Sequence, residues 1–219
     1  MKPFTDEQIK KAMCLYAVSD SMWLNGRTLP EVIRESLEGG ATFMQIREKN
    51  LPYDEFLALA KEVKKVTDEF RVPYVVNDEV EIAKAIDADG VHIGQSDKAL
   101  VDARKILGPD KIIGVSAQTV EQAVEAQKNG ADYLGVGSIF TTSTKLDADD
   151  VSLETLRAIC DAVSIPVVAI GGIKEDNILD LKGTHVDGVA IVSGIFGAEN
   201  IKEATSKLLA ISKELVENN

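Results

Sequence analysis

The sequence predicts a single (β/α)₈ barrel of the TIM type, preceded by a short N-terminal helix, over residues 1–219. Eight short apolar runs, each suited to a buried strand, alternate with segments of helical character. Gly-Ala or Val-Asp phrases precede several of these runs and form a quasi-repeat of roughly 20–30 residues, as expected of such a barrel. The chain has no GxGxxG motif, so the barrel is favoured over the alternative, a doubly wound open sheet.

The strands are predicted from apolar runs that are bounded by glycine, proline or polar residues. The second run alternates apolar and polar residues, as expected of a strand with a functional end. The predicted strands are residues 15–18, 43–48, 74–76, 91–93, 112–117, 133–140, 166–173 and 188–196.

The helices are predicted from capping residues, terminators and apolar spacing. Thr5 is a candidate N-cap for a short helix through Met13 that covers the closed end of the barrel. Thr119 is another, and Gln122 three residues later would complete a capping box. The remaining helices are predicted at residues 29–38, 53–70, 79–86, 99–107, after 152, at 175–181 and at 200–216.

Composition and charge narrow the class of protein. Hydrophobic residues make up 45% of the chain and charged residues 27%, which is typical of a soluble globular protein. The net charge of −12 argues against nucleic acid or an anionic membrane as a partner. No signal peptide or membrane-spanning run is evident, and Cys14 and Cys160 have no metal or redox spacing. We therefore expect a cytoplasmic protein with reduced thiols; no oligomeric state is indicated.

Two carboxylates follow neighbouring predicted strands. Asp78 comes after the run at 74–76, and Asp97 follows the run at 91–93. The helix-forming link at 79–86 makes the two strands parallel and adjacent, so both side chains open on one face. Mg²⁺ typically takes one or two protein carboxylates plus phosphate oxygens of a substrate. The pair predicts a Mg²⁺ site, with simple helix capping as the alternative for each residue.

The second strand ends in a cationic segment. Gln45, Arg47 and Lys49 share one parity, so the strand directs all three side chains towards the barrel axis. The planar guanidinium and the compact ammonium together suit a diphosphate. The alternative is an exposed strand end on which Glu48 and Lys49 are solvated, but inward charges in a barrel need partners.

Four further polar residues lie in or next to the predicted strands, and we expect different roles for them. Asn77 ends the third strand, and Ser116 ends the fifth, where its hydroxyl can donate to a phosphate or serve only as a loop or cap hydroxyl. His92 lies mid-strand, so we expect a packed, hydrogen-bonded core histidine. His185 precedes the eighth strand and should lie at the closed face of the barrel.

The polar loop after the sixth strand is a candidate phosphate-binding segment. Thr142, Ser143 and Thr144 supply hydroxyls and loop amides, and Lys145 supplies a positive charge. The loop follows an apolar strand at the functional face, which favours this interpretation over a plain polar loop.

Glycine-containing segments end the last two strands. These are residues 171–173 (Gly-Gly-Ile) and residues 192–194 (Val-Ser-Gly). Glycine lets the backbone approach a ligand closely, and the loops after strands seven and eight of a barrel commonly bind a phosphate. The sequence therefore predicts two anion sites, a cationic and metal-assisted one over strands two to four and an amide-lined one over strands seven and eight. Two phosphorylated substrates would explain both.

Seven segments of the chain resemble the thiamine-phosphate synthase family. In order they are QIREK, VVND, DGVHIGQSD, GVSAQT, TTSTK with its following aspartate, IGGI and VSGI, and they span strands two to eight. The resemblance implies a transferase that joins 4-amino-2-methyl-5-diphosphomethylpyrimidine to 4-methyl-5-(2-phosphoethyl)thiazole, or to its carboxylated form. The products would be thiamine phosphate and diphosphate.

The resemblance also implies roles for individual residues. Asp78 and Asp97 would hold Mg²⁺. The pyrimidine diphosphate would be bound by Gln45, Arg47, Lys49, Asn77, Ser116 and Lys145, of which Arg47, Lys49, Ser116 and Lys145 are the catalytic groups. The thiazole phosphate would be bound by Thr142, Ser143, Thr144, Gly172, Val192 and Ser193. The family mechanism is dissociative: diphosphate leaves first, and the thiazole nitrogen captures the resulting cation without a general base.

The chain departs from the family pattern at two positions. Thr141 stands where the family usually has proline, and Ser138 where it often has proline. Both departures bear on the rigidity of the loop after the sixth strand, because proline fixes φ. The residues that carry the chemistry are retained.

Two other functions compete with this interpretation. A thiazole tautomerase of the same barrel family would need an acid or base and no metal, so the presence of both Asp78 and Asp97 counts against it. A non-catalytic phosphate-binding barrel could lose its cationic residues freely, whereas this chain has all of them.

Overall fold

Eight parallel strands close into a barrel in the computed structural model, which describes residues 4–24, 26–140 and 150–219 apart from the side chain of Asp97. Each strand pairs with the next along the chain, and the eighth pairs with the first, where Tyr16 lies opposite Ala190. The strands are β1 (Leu15–Val18), β2 (Phe43–Ile46), β3 (Tyr74–Asn77), β4 (Gly90–Ile93), β5 (Ile112–Ala117), β6 (Tyr133–Val136), β7 (Val167–Ile170) and β8 (Gly188–Ile191). The predicted barrel is confirmed.

Helices surround the barrel and connect its strands. They are α1 (Asp6–Ala12), α2 (Leu29–Glu38), α3 (Tyr53–Phe70), α4 (Val80–Ala85), α5 (Asp97–Leu107), α6 (Val120–Lys128), α7 (Leu153–Ala162), α8 (Ser193–Phe196) and α9 (Ile201–Glu217). Two 3₁₀ segments, Ser21–Trp23 and Ile178–Leu181, complete the described helical elements. The strands are nearly continuous apolar runs because helices cover the outer face while side chains fill the inner one.

The short helix α1 closes the amino-terminal end of the barrel, as predicted. Its N-cap Thr5 forms a capping box with Gln8, which satisfies two backbone N–H groups at the helix start. Ile9 and Met13, both almost fully buried, pack into the barrel interior with Tyr16 and other inward side chains. The opposite end, where the carboxyl termini of the strands meet, stays open for a ligand.

The last three strands are shorter than predicted. β6, β7 and β8 end at Val136, Ile170 and Ile191, whereas the sequence pattern extended them to residues 140, 173 and 196. The backbone leaves the sheet at Gly171, where φ is 100°, and after β8 it enters the short helix α8. Apolar residues continue past each strand because Ile139, Ile173 and Ile195 are buried in the hydrophobic cluster that includes the surrounding helices, not because they remain in the sheet.

The helix predicted at residues 175–181 is mostly absent, since only Ile178–Leu181 is helical and it is 3₁₀. The side-chain oxygen of Asn177 accepts the N–H of Lys174 at 2.7 Å, and its amide donates to the carbonyl of Gly172 at 2.9 Å. These local bonds compete with the hydrogen bonds of an α-helix.

Two predicted helix starts also need correction. α5 begins at Asp97, two residues before the predicted start at 99, because Ser96 caps it. Thr119 caps α6 as predicted, but the side-chain oxygen of Gln122 accepts the N–H of Gln118 at 2.8 Å, so the predicted capping box is wrong.

In the described part of the chain, no helix combines the length and the apolar character needed to cross a membrane. Cys14 and Cys160 are free thiols and are partly buried. Burial raises the pKa of both, to about 12 for Cys160, which disfavours the reactive thiolate.

Candidate active site

A cavity of about 220 Å³ opens at the carboxyl ends of the strands. Many of the predicted site residues line it, namely Gln45, Arg47, Lys49, Asn77, Asp78, Ser116, Gly172, Val192 and Ser193. Thr142, Ser143, Thr144 and Lys145 lie outside the described residues, as does the side chain of Asp97. The predicted residues from β2, β3, β5, β7 and β8 thus reach one cavity although they are far apart in the chain.

The end of β2 carries the cationic segment. Gln45 is buried and its amide nitrogen donates to the hydroxyl of Tyr16 at 2.5 Å. Arg47 donates to a carboxylate oxygen of Asp20 at 2.6 Å, and only 16% of each side chain is exposed. Lys49 is exposed at the cavity rim and forms no ion pair with any described residue. One arginine is therefore held in place while the lysine is available to an anion.

Asp20 is a site residue that the sequence reasoning missed. It lies two residues after the end of β1, close to where polar site residues follow other strands, and that position was the available signal. Besides pairing with Arg47, its carboxylate accepts the N–H of Met22 at 3.1 Å and caps the 3₁₀ segment. A charged hydrogen bond at this low exposure orients the guanidinium firmly.

Glu48 is not the solvated charge that the alternative interpretation of this strand end required. Its side chain accepts a hydrogen bond from the Ser21 hydroxyl at 2.6 Å, and burial raises the pKa of its carboxyl group. Glu48 is not among the residues that line the cavity, whereas its neighbours Arg47 and Lys49 are. The strand predicted to residue 48 ends at Ile46, so the parity argument does not apply at residues 47–49, although Arg47 and Lys49 both reach the cavity.

Asn77 and Asp78 form an unusual turn at the end of β3. The Asn77 amide donates to the Asp78 carboxylate at 2.6 Å, and the Asp78 N–H donates to the carbonyl of His92 at 2.9 Å. Asp78 has a φ of 61°, a left-handed conformation that costs on the order of 1 kcal/mol or more for a residue with a Cβ. The N-cap of α4 is Glu79, so the capping alternative for this pair is wrong. The turn holds the Asp78 carboxylate at the cavity.

The donor set suits a magnesium ion that is shared with a substrate. Asp78 follows β3, and Asp97 is the first residue of α5 after the neighbouring strand β4; the cap of that helix is Ser96, not Asp97. Among the described residues no cluster of three or more His, Cys, Asp or Glu side chains could hold a metal. Mg²⁺ prefers coordination by one or two carboxylates, with its remaining coordination positions filled by phosphate oxygens and water.

Three glutamines form a second group that the sequence reasoning missed. Gln95 donates to Gln118 at 2.9 Å and accepts from Gln122 at 3.1 Å. Gln95 and Gln118 line the cavity, after β4 and β5. Gln95 and Gln118 lie in segments that resemble the family, but no local pattern predicts their contact. The barrel alone brings together amides that are 23 and 27 residues apart.

A chain of hydrogen bonds crosses the floor of the cavity. The hydroxyls of Tyr16 and Tyr133 are 2.8 Å apart, and the Tyr133 hydroxyl is 2.9 Å from Nδ1 of His92. Nε2 of His92 is 3.1 Å from the hydroxyl of Ser116. His92 is packed and hydrogen-bonded, as predicted, but it also lines the cavity. His185 bonds to Asp161 at 2.7 Å and is not among the cavity residues.

The ends of β7 and β8 offer backbone instead of side chains. Gly171 and Gly172 have φ values of 100° and 65°. A Cβ at Gly172 would lie 2.5 Å from the carbonyl oxygen of Phe140, so only glycine fits this turn. Val192 is the N-cap of helix α8 and Ser193 is its first residue, and the first N–H groups of a helix lack intrahelical acceptors. Amides at such a turn and helix start suit a phosphate.

These features define the class of protein. A closed barrel with polar side chains on one side of its mouth and glycine-rich turns after β7 and β8 is the arrangement of (β/α)₈ enzymes that act on phosphorylated small molecules.

Comparison with known proteins identifies the family. The family model described as thiamine monophosphate synthase matches residues 15–195. The thiamine-phosphate synthases of Clostridium tetani and Clostridium acetobutylicum are each 50% identical over 200 residues, which covers 91% of this chain and 96% and 95% of theirs. The solved thiamine phosphate pyrophosphorylase from Pyrococcus furiosus has a TM-score of 0.87 at 43% identity, over 95% of this chain and 99% of that chain. The chain belongs to the thiamine monophosphate synthase family and is a transferase of thiamine biosynthesis.

Proposed function

We propose that the protein joins 4-amino-2-methyl-5-diphosphomethylpyrimidine to 4-methyl-5-(2-phosphoethyl)thiazole and releases thiamine phosphate and diphosphate. With the carboxylated thiazole as the second substrate, CO₂ is released as well and a proton from water takes its place on the ring. The relatives that carry the name thiamine-phosphate synthase support the overall reaction. The substrates and the steps below rest on the chemistry of the cavity residues.

The observation that carries the proposal is the cationic end of β2. Arg47 keeps one hydrogen bond to Asp20 and has further N–H groups for an anion, while Lys49 stands unpaired among the described residues at the rim. Both residues line the same cavity as Asp78. A diphosphate between cations and a carboxylate-bound metal has its negative charge balanced on both sides.

Departure of the diphosphate is the step that this arrangement favours. The bond between the pyrimidine methylene carbon and the diphosphate oxygen breaks, and the electron pair goes to the diphosphate. The charge on that oxygen grows in the transition state, where Arg47, Lys49, Lys145 and the Ser116 hydroxyl stabilise it. The exocyclic amino group of the pyrimidine delocalises the positive charge left on carbon.

Asp78 and Asp97 are the residues that would hold Mg²⁺, which supplies Lewis-acid stabilisation of the leaving diphosphate when bound. Asn77 donates to the carboxylate of Asp78 and so fixes its orientation. The left-handed turn at Asp78 holds the carboxylate at the cavity. This orientation lowers the reorganisation needed when substrate arrives.

The second substrate would bind on the opposite side of the cavity. Gly172, Val192 and Ser193 would hold the thiazole phosphate, together with Thr142, Ser143 and Thr144 of the loop after β6. The lone pair of the thiazole nitrogen then forms the new bond to the methylene carbon. The nitrogen carries no proton in its neutral form, so the product forms without a general base.

The test is a two-substrate assay with the purified protein. Both substrates and Mg²⁺ are combined, and released diphosphate and thiamine phosphate are quantified together. We expect the two products in equal amounts, and neither product when either substrate is omitted.

The competing functions are separated when the same mixtures are also followed for isomerisation of the thiazole phosphate and for substrate binding. Isomerisation of a thiazole phosphate tautomer without the pyrimidine substrate would indicate the tautomerase. Binding of both phosphorylated compounds without turnover would indicate a non-catalytic barrel. Either result would overturn the proposal.

A further inference from the structure

We infer that Tyr16, Tyr133 and His92 form a directional hydrogen-bond relay, here named the buried relay, that sets Ser116 as a hydrogen-bond donor towards the cavity. The three residues are positioning residues: they lie on β1, β6 and β4, and they act through Ser116 on β5. The inference deepens the proposed function, because the acceptor at Ser116 is then the diphosphate of the first substrate.

The direction of the relay starts at Gln45. Its amide nitrogen can only donate, so the hydroxyl oxygen of Tyr16 accepts this hydrogen bond. The single hydroxyl hydrogen of Tyr16 then has the hydroxyl oxygen of Tyr133, 2.8 Å away, as its acceptor among the described residues. Tyr133 in turn has one hydrogen left to donate, and Nδ1 of His92 lies 2.9 Å away.

This order determines the tautomer of His92. Because Nδ1 accepts from Tyr133, it carries no proton, and the neutral ring holds its proton on Nε2. Nε2 therefore donates to the Ser116 oxygen at 3.1 Å. A protonated ring would donate from Nδ1 as well, which would leave the hydroxyl hydrogen of the fully buried Tyr133 without an acceptor.

The consequence for Ser116 is a fixed polarity. Its oxygen already accepts the hydrogen bond from His92, so its own hydrogen is available to the cavity that it lines. With the relay reversed, Ser116 would donate to His92 and present only lone pairs, which repel a diphosphate oxygen. The relay thus decides whether this hydroxyl attracts or repels an anion.

The barrel interior is shaped to hold these groups. Gly114 lies beside both His92 and Tyr133 in the sheet, and a Cβ there would lie 2.0 Å from Cζ of Tyr133. A Cβ at Gly135 would lie 3.2 Å from Cε1 of His92. Phe43 packs against both tyrosine rings, with centroid distances of 4.5 and 5.4 Å. Because neither Gly114 nor Gly135 has a Cβ, the rings of Tyr133 and His92 have room in the barrel interior.

The two tyrosines are suited to a relay with one direction. Both are buried, and burial raises the pKa of each hydroxyl, so each keeps its proton through the neutral range. Three polar groups in a barrel floor are costly unless each is hydrogen-bonded, and apolar side chains could fill the space as well. Control of Ser116 explains why three polar residues form one connected set here.

The first test reads the tautomer directly by ¹⁵N NMR of histidine-labelled protein at neutral pH, without substrate. The chain has two histidines, and His185→Gln assigns the signals of His92 by subtraction. We expect His92 to be neutral with its proton on Nε2. A proton on Nδ1, or a doubly protonated ring, would overturn the inference whether or not the protein turns over.

Two matched variants test the direction. Tyr133→Phe removes the donor to Nδ1 and should shift the tautomer population of His92. Tyr16→Phe removes the same atom from an equally buried ring but leaves Tyr133 with His92 as its acceptor, so the tautomer should not change. The relay would be contradicted if the ¹⁵N signals of His92 were the same in both variants, or if they changed only in Tyr16→Phe.

Kinetics then connect the relay to Ser116. Ser116→Ala should lower kcat roughly tenfold to a hundredfold, the effect of one hydrogen bond to a charged group, with a smaller change in KM. Tyr133→Phe should lower kcat by a similar factor. The double variant Ser116→Ala/Tyr133→Phe should have a kcat little lower than that of either single variant. Additive losses would overturn the relay. Lack of any turnover in the unmodified protein would instead overturn the proposed function, and the NMR result would still decide the relay.

Discussion

The two sides of the cavity mouth present different chemical groups to a ligand: one presents side chains and the other presents backbone. The cationic side, at the ends of β2 to β5, presents side chains such as Arg47 and Asp78. The glycine side, at the ends of β7 and β8, presents backbone at Gly172 and at the start of α8. Side-chain groups can be removed singly, whereas backbone groups change only when bulk, charge or conformation changes. The two sides should therefore respond to different kinds of substitution.

The largest expected effect is metal removal, which should separate the two sides. EDTA should lower turnover roughly 10³-fold or more, since a metal can supply several kcal/mol of charge stabilisation. Asp78→Asn or Asp97→Asn should raise the Mg²⁺ requirement, because each removes a ligand charge. Thiazole phosphate should still bind in EDTA, since the glycine side needs no metal. Calorimetric titration of each substrate with and without Mg²⁺ measures both affinities.

Asp68→Asn is the matched control for the metal prediction. Asp68 is an exposed carboxylate on α3 whose pair with Lys64 is a surface ion pair worth little. Its replacement should leave the Mg²⁺ requirement as it was. Full activity in EDTA, or equal loss of both substrate affinities, would show that the two sides do not differ in their use of metal.

The next effect concerns Lys49. Lys49→Ala should lower turnover about 10²–10³-fold, as expected when one preorganised charge-stabilising group is lost. Folding should be unaffected, because Lys49 is exposed and has no ion-pair partner in the described ranges. Lys61→Ala removes an exposed lysine from α3 and serves as the control, with no expected change. Near-normal turnover of Lys49→Ala at saturating substrates would remove Lys49 from the cationic side.

A smaller effect tests the glycine side by charge. Ser193→Asp should weaken thiazole phosphate binding roughly tenfold to a hundredfold, because two like charges a few ångströms apart repel by about 1–3 kcal/mol at the effective dielectric of a protein surface. Ser193→Ala keeps the backbone and should change the affinity far less. Calorimetry with the thiazole phosphate compares the pair of variants. A larger loss for alanine than for aspartate would mean that the hydroxyl, not the backbone, binds the phosphate.

The smallest effect tests the glycine side by conformation. Gly172→Ala meets both a positive φ and a close carbonyl, so it should destabilise the fold by about 1–3 kcal/mol and weaken thiazole phosphate binding. Gly183→Ala has a similar φ of 80° but open space around its Cβ. It should cost only about 1 kcal/mol and leave binding unchanged. Denaturant unfolding measures the stabilities, and equal results for both variants would assign the whole effect to φ.

Local patterns in the sequence determined most of the architecture. Apolar runs of strand length and helices at 3.6-residue spacing predict the barrel because each element buries one set of residues against the next. The order of the strands follows, since parallel neighbours joined by helices place every carboxyl end on one face. For the same reason Gln45, Asp78, Ser116 and Gly172 could be assigned to one face of the barrel from their positions at the ends of strands.

Tertiary structure alone decided the features that depend on distant residues. Asp20 meets Arg47 across 27 positions, and Tyr16 meets Tyr133 across 117, so no local pattern marks either pair. The left-handed turn at Asp78 is likewise held by the His92 carbonyl on the next strand.

The ends of β6 to β8 were predicted too long for a related reason. Apolar residues that continue a strand and apolar residues that pack against the surrounding helices beyond its end look alike in sequence. The direction of the chain after Ile170 is set by the space that Ser138 and Phe140 leave for two glycines. The sequence by itself specifies which residues seek burial and which strand ends carry charge. Packing across the barrel determines which partners those residues find, because hydrogen bonds and close contacts form between strands that are remote along the chain.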